Sequence, residues 1–333
     1  MTISLKFSPT IIVVGVLLLI YPLVVTPFWA VQIGANALIL GMIALTIVFL
    51  AGYGGMISLA QVTVAGVAGY SIAYFGINNV GVGILLPWPV GVLIALTFGT
   101  FAGFLIGLIS VRTQGIYMLM ITLALSVVFF YFARQNYTLF NGFTGFNGVI
   151  APVVGGIDLR GPVVFYYLCL VAAGLSYGFV RYIERSPFGL ALQGIRDNER
   201  RMRALGYWVG FHRVAAFTLM GLMASFAGIL GVWYNNRISA GSVGFAQTFD
   251  LIIIAVIGGI MHPIGAFLGA IVFVLVENFA IDFIDRERFN TLIGLVFLLI
   301  VFFSPDGLVG LWSKAKDQWV RNWLGRRTTG PTV

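Results

Sequence analysis

Charge is what this chain lacks most. Only 9% of its residues are acidic or basic, whereas a soluble domain carries about 25%. Lysine is nearly absent: Lys6, Lys314 and Lys316 are the only ones, so there is no phosphate loop ending in Gly-Lys-Ser or Gly-Lys-Thr. A lone cysteine, Cys169, excludes an intrachain disulfide. His212 and His262 are the only histidines, which argues against a metal cluster. No nucleophile, base or metal ligands converge in a readable motif, so no catalytic residue is assigned and an enzyme is disfavoured. The formal charge of +8 would suit a nucleic acid. The basic residues, however, concentrate in two short stretches beside apolar runs, where membrane topology accounts for them and no nucleic acid is needed.

What the chain has is hydrocarbon. Hydrophobic residues make up 60% of it, in stretches long enough to cross a bilayer, which takes about 20 residues as helix. Unpaired backbone groups are costly in lipid, so such spans are helices rather than open strands. The expected fold is therefore all-α, a polytopic transmembrane bundle of about eight to ten spans, some broken or re-entrant. Its 42 glycines fit close helix packing in lipid.

The run Thr10–Val25 reads as a retained first span rather than a cleaved signal, because apolar sequence resumes just after Pro27. Further spans are expected at Ala37–Ala51, Met56–Phe75, Ile84–Ile109, Ile116–Phe132, Val163–Tyr182, Val214–Trp233, a broken Asp250–Phe279 and Leu292–Phe303. Residues 1–312 thus form one transmembrane domain with a charged loop at 183–213, followed by a basic tail at 313–333. The loop carries Arg196, Arg200, Arg201 and Arg203, and the tail Lys314, Lys316, Arg321, Arg326 and Arg327. The positive-inside rule places both, and both termini, in the cytoplasm.

Two glycine-rich stretches interrupt the spans. In Gly52–Tyr74, Gly54 and Gly55 precede Ser58, Gln61 and Thr63. In Ala255–Ala270, Gly258 and Gly259 precede His262 and Pro263. Irregular backbone at membrane depth is tolerated where it is buried in protein or lines a watery cavity, so these residues are candidates for a solute path. Glycine-packed helices explain them equally well. In the expected threading the two stretches run in the same direction, which does not by itself support an inverted repeat. Asp250 opens an apolar run and reads either as a helix cap or as a pathway carboxylate, with Glu277 comparable near a span end.

The charged loop reads as one amphipathic helix within Ser186–Arg213. Phe188, Leu192, Ile195, Met202 and Leu205 form a stripe with Glu199 in its middle, beside arginines suited to anionic lipid or to a partner protein, and Gly206 ends it.

Taken together these stretches resemble the permease subunits of branched-chain amino acid ABC importers, in particular the member paired with a second, related permease. The likeness rests on GYGGMISLAQ, on RTQGIYMLMITLALS from Arg112, and on NGFTGFNGV from Asn141. It extends through SPFGLALQGIRDNERRMRALG from Ser186 to AVIGGIMHPIGAFLGA from Ala255. Met56, Ala60, Met261 and His262 depart from the family's usual residues there.

The resemblance implies a bacterial-type cytoplasmic membrane protein that partners a second permease, two ATP-binding cassette subunits and an external solute-binding protein. ATP and Mg would belong to the ATPase partners, with no cofactor in this chain. It implies ATPase coupling through Gly189, Ile195, Arg196, Asp197, Asn198, Glu199, Ala204, Leu205 and Gly206. Binding-protein contact would fall at Thr144, Gly145 and Asn147. The solute path would use Gly54, Gly55, Ser58, Gln61, Thr63, Asp250, Gly258 and Gly259 in alternating access. The alternatives are import of urea, short amides or other amino acids, and an ion-coupled secondary transporter, which would need intramembrane acids.

Overall fold

The computed structural model describes residues 9–280, with 294, 295, 298, 302 and 307–310. Most of the expected span Leu292–Phe303 and all of the basic tail lie outside the described residues. Helix α1, Pro9–Val24, occupies the first expected span, and Pro22 within it has no N–H to offer the Leu18 carbonyl. The Tyr166 hydroxyl donates to that carbonyl instead at 3.2 Å, and Tyr167 donates to Leu19 O at 2.8 Å. A π-helical stretch, Phe28–Ala35, runs on into α2, Asn36–Gly54. Helix α3, Gln61–Phe75, follows only after six residues without helix, Gly55 to Ala60.

The remaining elements are α4 Trp88–Ser110, α5 Ile116–Gln135, the short α6 Tyr137–Phe140, and α7 Pro162–Arg185. They continue with α8 Pro187–Asp197, α9 Glu199–Ala204, α10 Val209–Asn235, α11 Phe245–Gly258 and α12 Pro263–Ala280. Among the described residues, five helical segments are long and apolar enough to cross a membrane: Phe28–Gly54, α4, α5, α7 and α10. Helices α11 and α12 make a further apolar pair, reversed through 117° at a short break. The charged loop expected as one helix is two, because the Asn198 side chain caps α9 by accepting the Arg201 N–H at 3.0 Å.

Helix α2 is the centre of the bundle, packed by α12, α10, α7 and α11 and buried along most of its length. Helix α10 packs most extensively on α4, where small residues bring backbones together. A Cβ on Gly103 would lie 2.9 Å from the Cα of Gly221. Outward-facing Phe98, Phe101 and Leu105 of α4 and Met120, Val128 and Phe132 of α5 leave an apolar belt suited to lipid.

The bundle has two unlike ends. At one, here the charged end, lie the α4–α5 turn and α8–α9. The other, the loop end, carries two small antiparallel pairings: β1 (Phe146–Asn147) with β4 (Arg237–Ile238), and β2 (Val153–Val154) with β3 (Ile157–Asp158). Both glycine breaks lie toward the charged end, as their common direction in sequence requires. Gly52 sits so close to the Ile260 carbonyl that a Cβ there would approach it to 2.6 Å.

Candidate solute pathway and coupling surface

Helix α2 stops because Gly55 turns left-handed, with φ 63°, a conformation glycine adopts without steric penalty. The chain then runs unwound from Met56 to Ala60 alongside α5. Its exposed backbone groups are satisfied by α5: the Leu59 N–H donates to Thr122 Oγ1 at 3.1 Å, and Ser126 Oγ donates to Leu59 O at 3.0 Å. This answers the demand that non-helical backbone within a membrane bundle find partners in protein. Thr122 and Ser126 escaped the sequence reading; their spacing of four residues on one face of an apolar helix was the available sign.

Ser58 within this unwound segment, and Gln61 and Thr63 in the first turn of α3 after it, are buried. Gln61 Oε1 and Thr63 Oγ1 have no hydrogen-bond partner among the described residues, and none of the three residues lines either of the two cavities described below. The same helix instead turns Val62, Ala65 and Gly66 toward the larger cavity.

That cavity measures about 520 Å³ and lies between α2, α3, α10, α11 and α12. Asp250 and Glu277 both line it, with Asn36, Arg237, Gln247 and Asn278. Asp250 is not a helix cap: α11 begins at Phe245 after Gly244, which places the carboxylate in the helix's second turn. The stretch Ala246–Thr248, polar enough to pass for loop in the sequence, continues the helix and carries Asp250 into the bundle. Gly258 and Gly259 close α11 without lining the cavity, and Gly258 packs against the backbone of Gly265 in α12. His262 is an exposed turn residue.

A second cavity, about 280 Å³, opens at the charged end between Gly54, Gly55, Gln114, Arg196, Glu199 and Arg213. Helix α8, capped by Ser186, buries Leu192 and Ile195, and Gly189 lies against the Ile183 carbonyl. Glu199 turns inward. It accepts from Arg213 Nη2 at 2.8 Å, from Gln114 Nε2 at 2.5 Å, and from Arg203. Arg213, from α10, is itself buried. Arg196 donates to the Gly52 carbonyl and pairs with Asp197 at 2.9 Å. Leu205 leaves the expected apolar stripe and is 66% exposed, next to Gly206 at φ 88° and to Trp208, 81% exposed. Ala204 is exposed beside them.

At the loop end Thr144 and Asn147 are exposed. Gly145 is packed so closely on the Ile238 carbonyl that no side chain fits. Asn141 Nδ2 donates to Gly145 O at 2.8 Å, and the Asn79 N–H donates to Asn147 O at 2.9 Å, which fixes the loop to the bundle.

An all-α, multi-pass membrane bundle with a polar internal cavity and a rooted charged segment belongs to the class of transport permeases. The family model for the branched-chain amino acid transport system permease component matches residues 30–301, and the chain belongs to that family. It is similar to the high-affinity branched-chain amino acid transport permease LivM of Escherichia coli K12, with 26% identity over 281 residues, covering 78% of this chain and 63% of that one. The probable LivM of Methanocaldococcus jannaschii is 26% identical over 273 residues, covering 73% and 75%. The autoinducer 2 import permease LsrC of Enterobacter sp. 638 is 29% identical over 240 residues, covering 67% and 66%. The chain thus spans under two thirds of the E. coli relative's length. No solved structure matches it.

Proposed function

We propose that the chain is the transmembrane permease subunit of an ATP-driven, binding-protein-dependent importer of branched-chain amino acids. Family membership over residues 30–301 is the observation that carries this reading. The charged end fits it: an exposed tip at Leu205–Trp208 offers a partner contact, and Glu199 and Arg196 tie the segment behind that tip to the bundle. Two ATP-binding cassette subunits would press on that tip and supply ATP and Mg. A second permease would complete the passage in a bacterial-type cytoplasmic membrane. Thr144 and Asn147, at the opposite end, would meet the solute-binding protein. Solute would cross by alternating access, with the unwound Met56–Ala60 segment, Ser58 included, and Gln61 and Thr63 just after it moving between states.

Asp250 and Glu277 are intramembrane acids of the sort an ion-coupled transporter uses, and this favours a self-contained transporter as the second reading. Purifying the tagged chain from its native membrane, with and without crosslinking, separates the two. Recovery with two ATPases and a second permease supports the importer, and ATP-dependent uptake by that complex identifies the solute. Recovery of the chain alone rejects the importer.

A further inference from the structure

The polarity of the larger cavity is ordered along the bundle. In α2 the cavity-lining Asn36 precedes Ile39 and Ile43, and in α11 Asp250 precedes Leu251 and Ile254. Helix α12 runs the opposite way, and there Phe273 precedes Glu277 and Asn278. Each helix therefore places its polar residues toward the loop end and its apolar ones deeper. Asn36 to Ile43 covers about 10 Å of helix rise, enough to set charge and hydrocarbon apart within one chamber.

Asp250 and Glu277 have neither a hydrogen bond nor an ion pair among the described residues, and Glu277 lies in the field of Asp250. Two unpaired carboxylates in apolar helices are costly, and a bound cation removes much of that cost. Arg237 shares the chamber and supplies a site for one opposite charge. At about 520 Å³ the space falls within the range of small-molecule sites. A bare metal ion would use the acids but not the apolar floor. A hydrocarbon would use the floor but not the acids.

The geometry points to a binding chamber within this single subunit for a solute with an ammonium group and a branched aliphatic tail. Asp250 and Glu277 receive the ammonium, Arg237 receives a carboxylate where there is one, and Ile39, Ile43 and Ile254 receive the tail. The solute class rests on the importer reading, while the location and the dependence on ammonium rest on the cavity.

The test uses the full chain in detergent or nanodiscs, with radiolabelled leucine as ligand. The competitors are 3-methylbutylamine, which lacks the carboxylate, and 4-methylpentanoate, which lacks the ammonium. The expected result is competition by the amine, with the acid at least tenfold weaker. The isosteric double variant Asp250→Asn/Glu277→Gln should weaken leucine at least tenfold, and Ile43→Trp, which fills the floor, should do the same.

Equal competition by the acid overturns the proposal, as does failure of all three probes to bind the wild-type chain. The wild-type competition series decides even if the double variant does not fold. Uptake by the assembled complex separates this proposal from the importer reading. Wild-type leucine import by the double variant rejects the chamber and leaves the importer standing. Acid-dependent amine binding by a chain whose complex imports no branched-chain amino acid supports the chamber and rejects that solute assignment.

Discussion

The two ends of the bundle treat carboxylates in opposite ways. At the charged end Glu199 is saturated by Arg213, Gln114 and Arg203, each from a different turn or helix position. Near the loop end Asp250 and Glu277 face a cavity with no such partner among the described residues. A saturated carboxylate fixes elements to one another and can carry displacement between them. An unsaturated one keeps its interaction free energy available for something that arrives. The comparison divides the molecule into a part that holds its shape through charge and a part that holds charge ready.

The largest expected effect breaks the saturated end. Glu199→Ala leaves the Arg213 guanidinium buried and unpaired, and should cost about 3 kcal/mol of stability. Thermal unfolding of the purified chain measures it, and Glu199→Ala/Arg213→Met should recover much of the loss, since it removes both charges. Next comes Thr122→Val, which strips the Leu59 N–H of its acceptor and should cost about 2 kcal/mol by the same assay. Asp250→Asn reverses the sign: with no partner among the described residues to lose and a like charge relieved, stability without solute should rise by about 1 kcal/mol. A fall comparable to that of Glu199→Ala would erase the distinction between the ends. The smallest effect belongs to Trp208→Ser, which should change stability by less than about 0.5 kcal/mol because the side chain is 81% exposed. Its consequence should appear instead as weakened recovery of ATPase subunits with the chain.

Much of this architecture was legible in sequence, because crossing a bilayer is a local property of about 20 residues. The apolar runs located the helices α2, α4, α5, α7 and α10, and the arginines marked the segment that became α8 and α9. Less legible was anything set by the register between distant segments. Asn198 splits the charged helix with a single side chain, which an amphipathic stripe drawn through it does not reveal. Asp250 looked like a helix start because the turn of helix before it is polar. The larger cavity draws on residues from Gln32 to Asn278, so no single window of sequence contains it. The pairing of Glu199 with Gln114, 85 residues away, was equally hidden.

Helix α9 has only six residues, far below the dozen or so that an isolated helix needs to persist in water. Its order must then come from outside itself, through the Asn198 cap and the bonds that Glu199 accepts from Gln114 and Arg213. Any movement that parts the α4–α5 turn from α10 would stretch those bonds and melt the helix. The segment is thus a mechanical fuse, whose amide protons would exchange fastest when the bundle is under load.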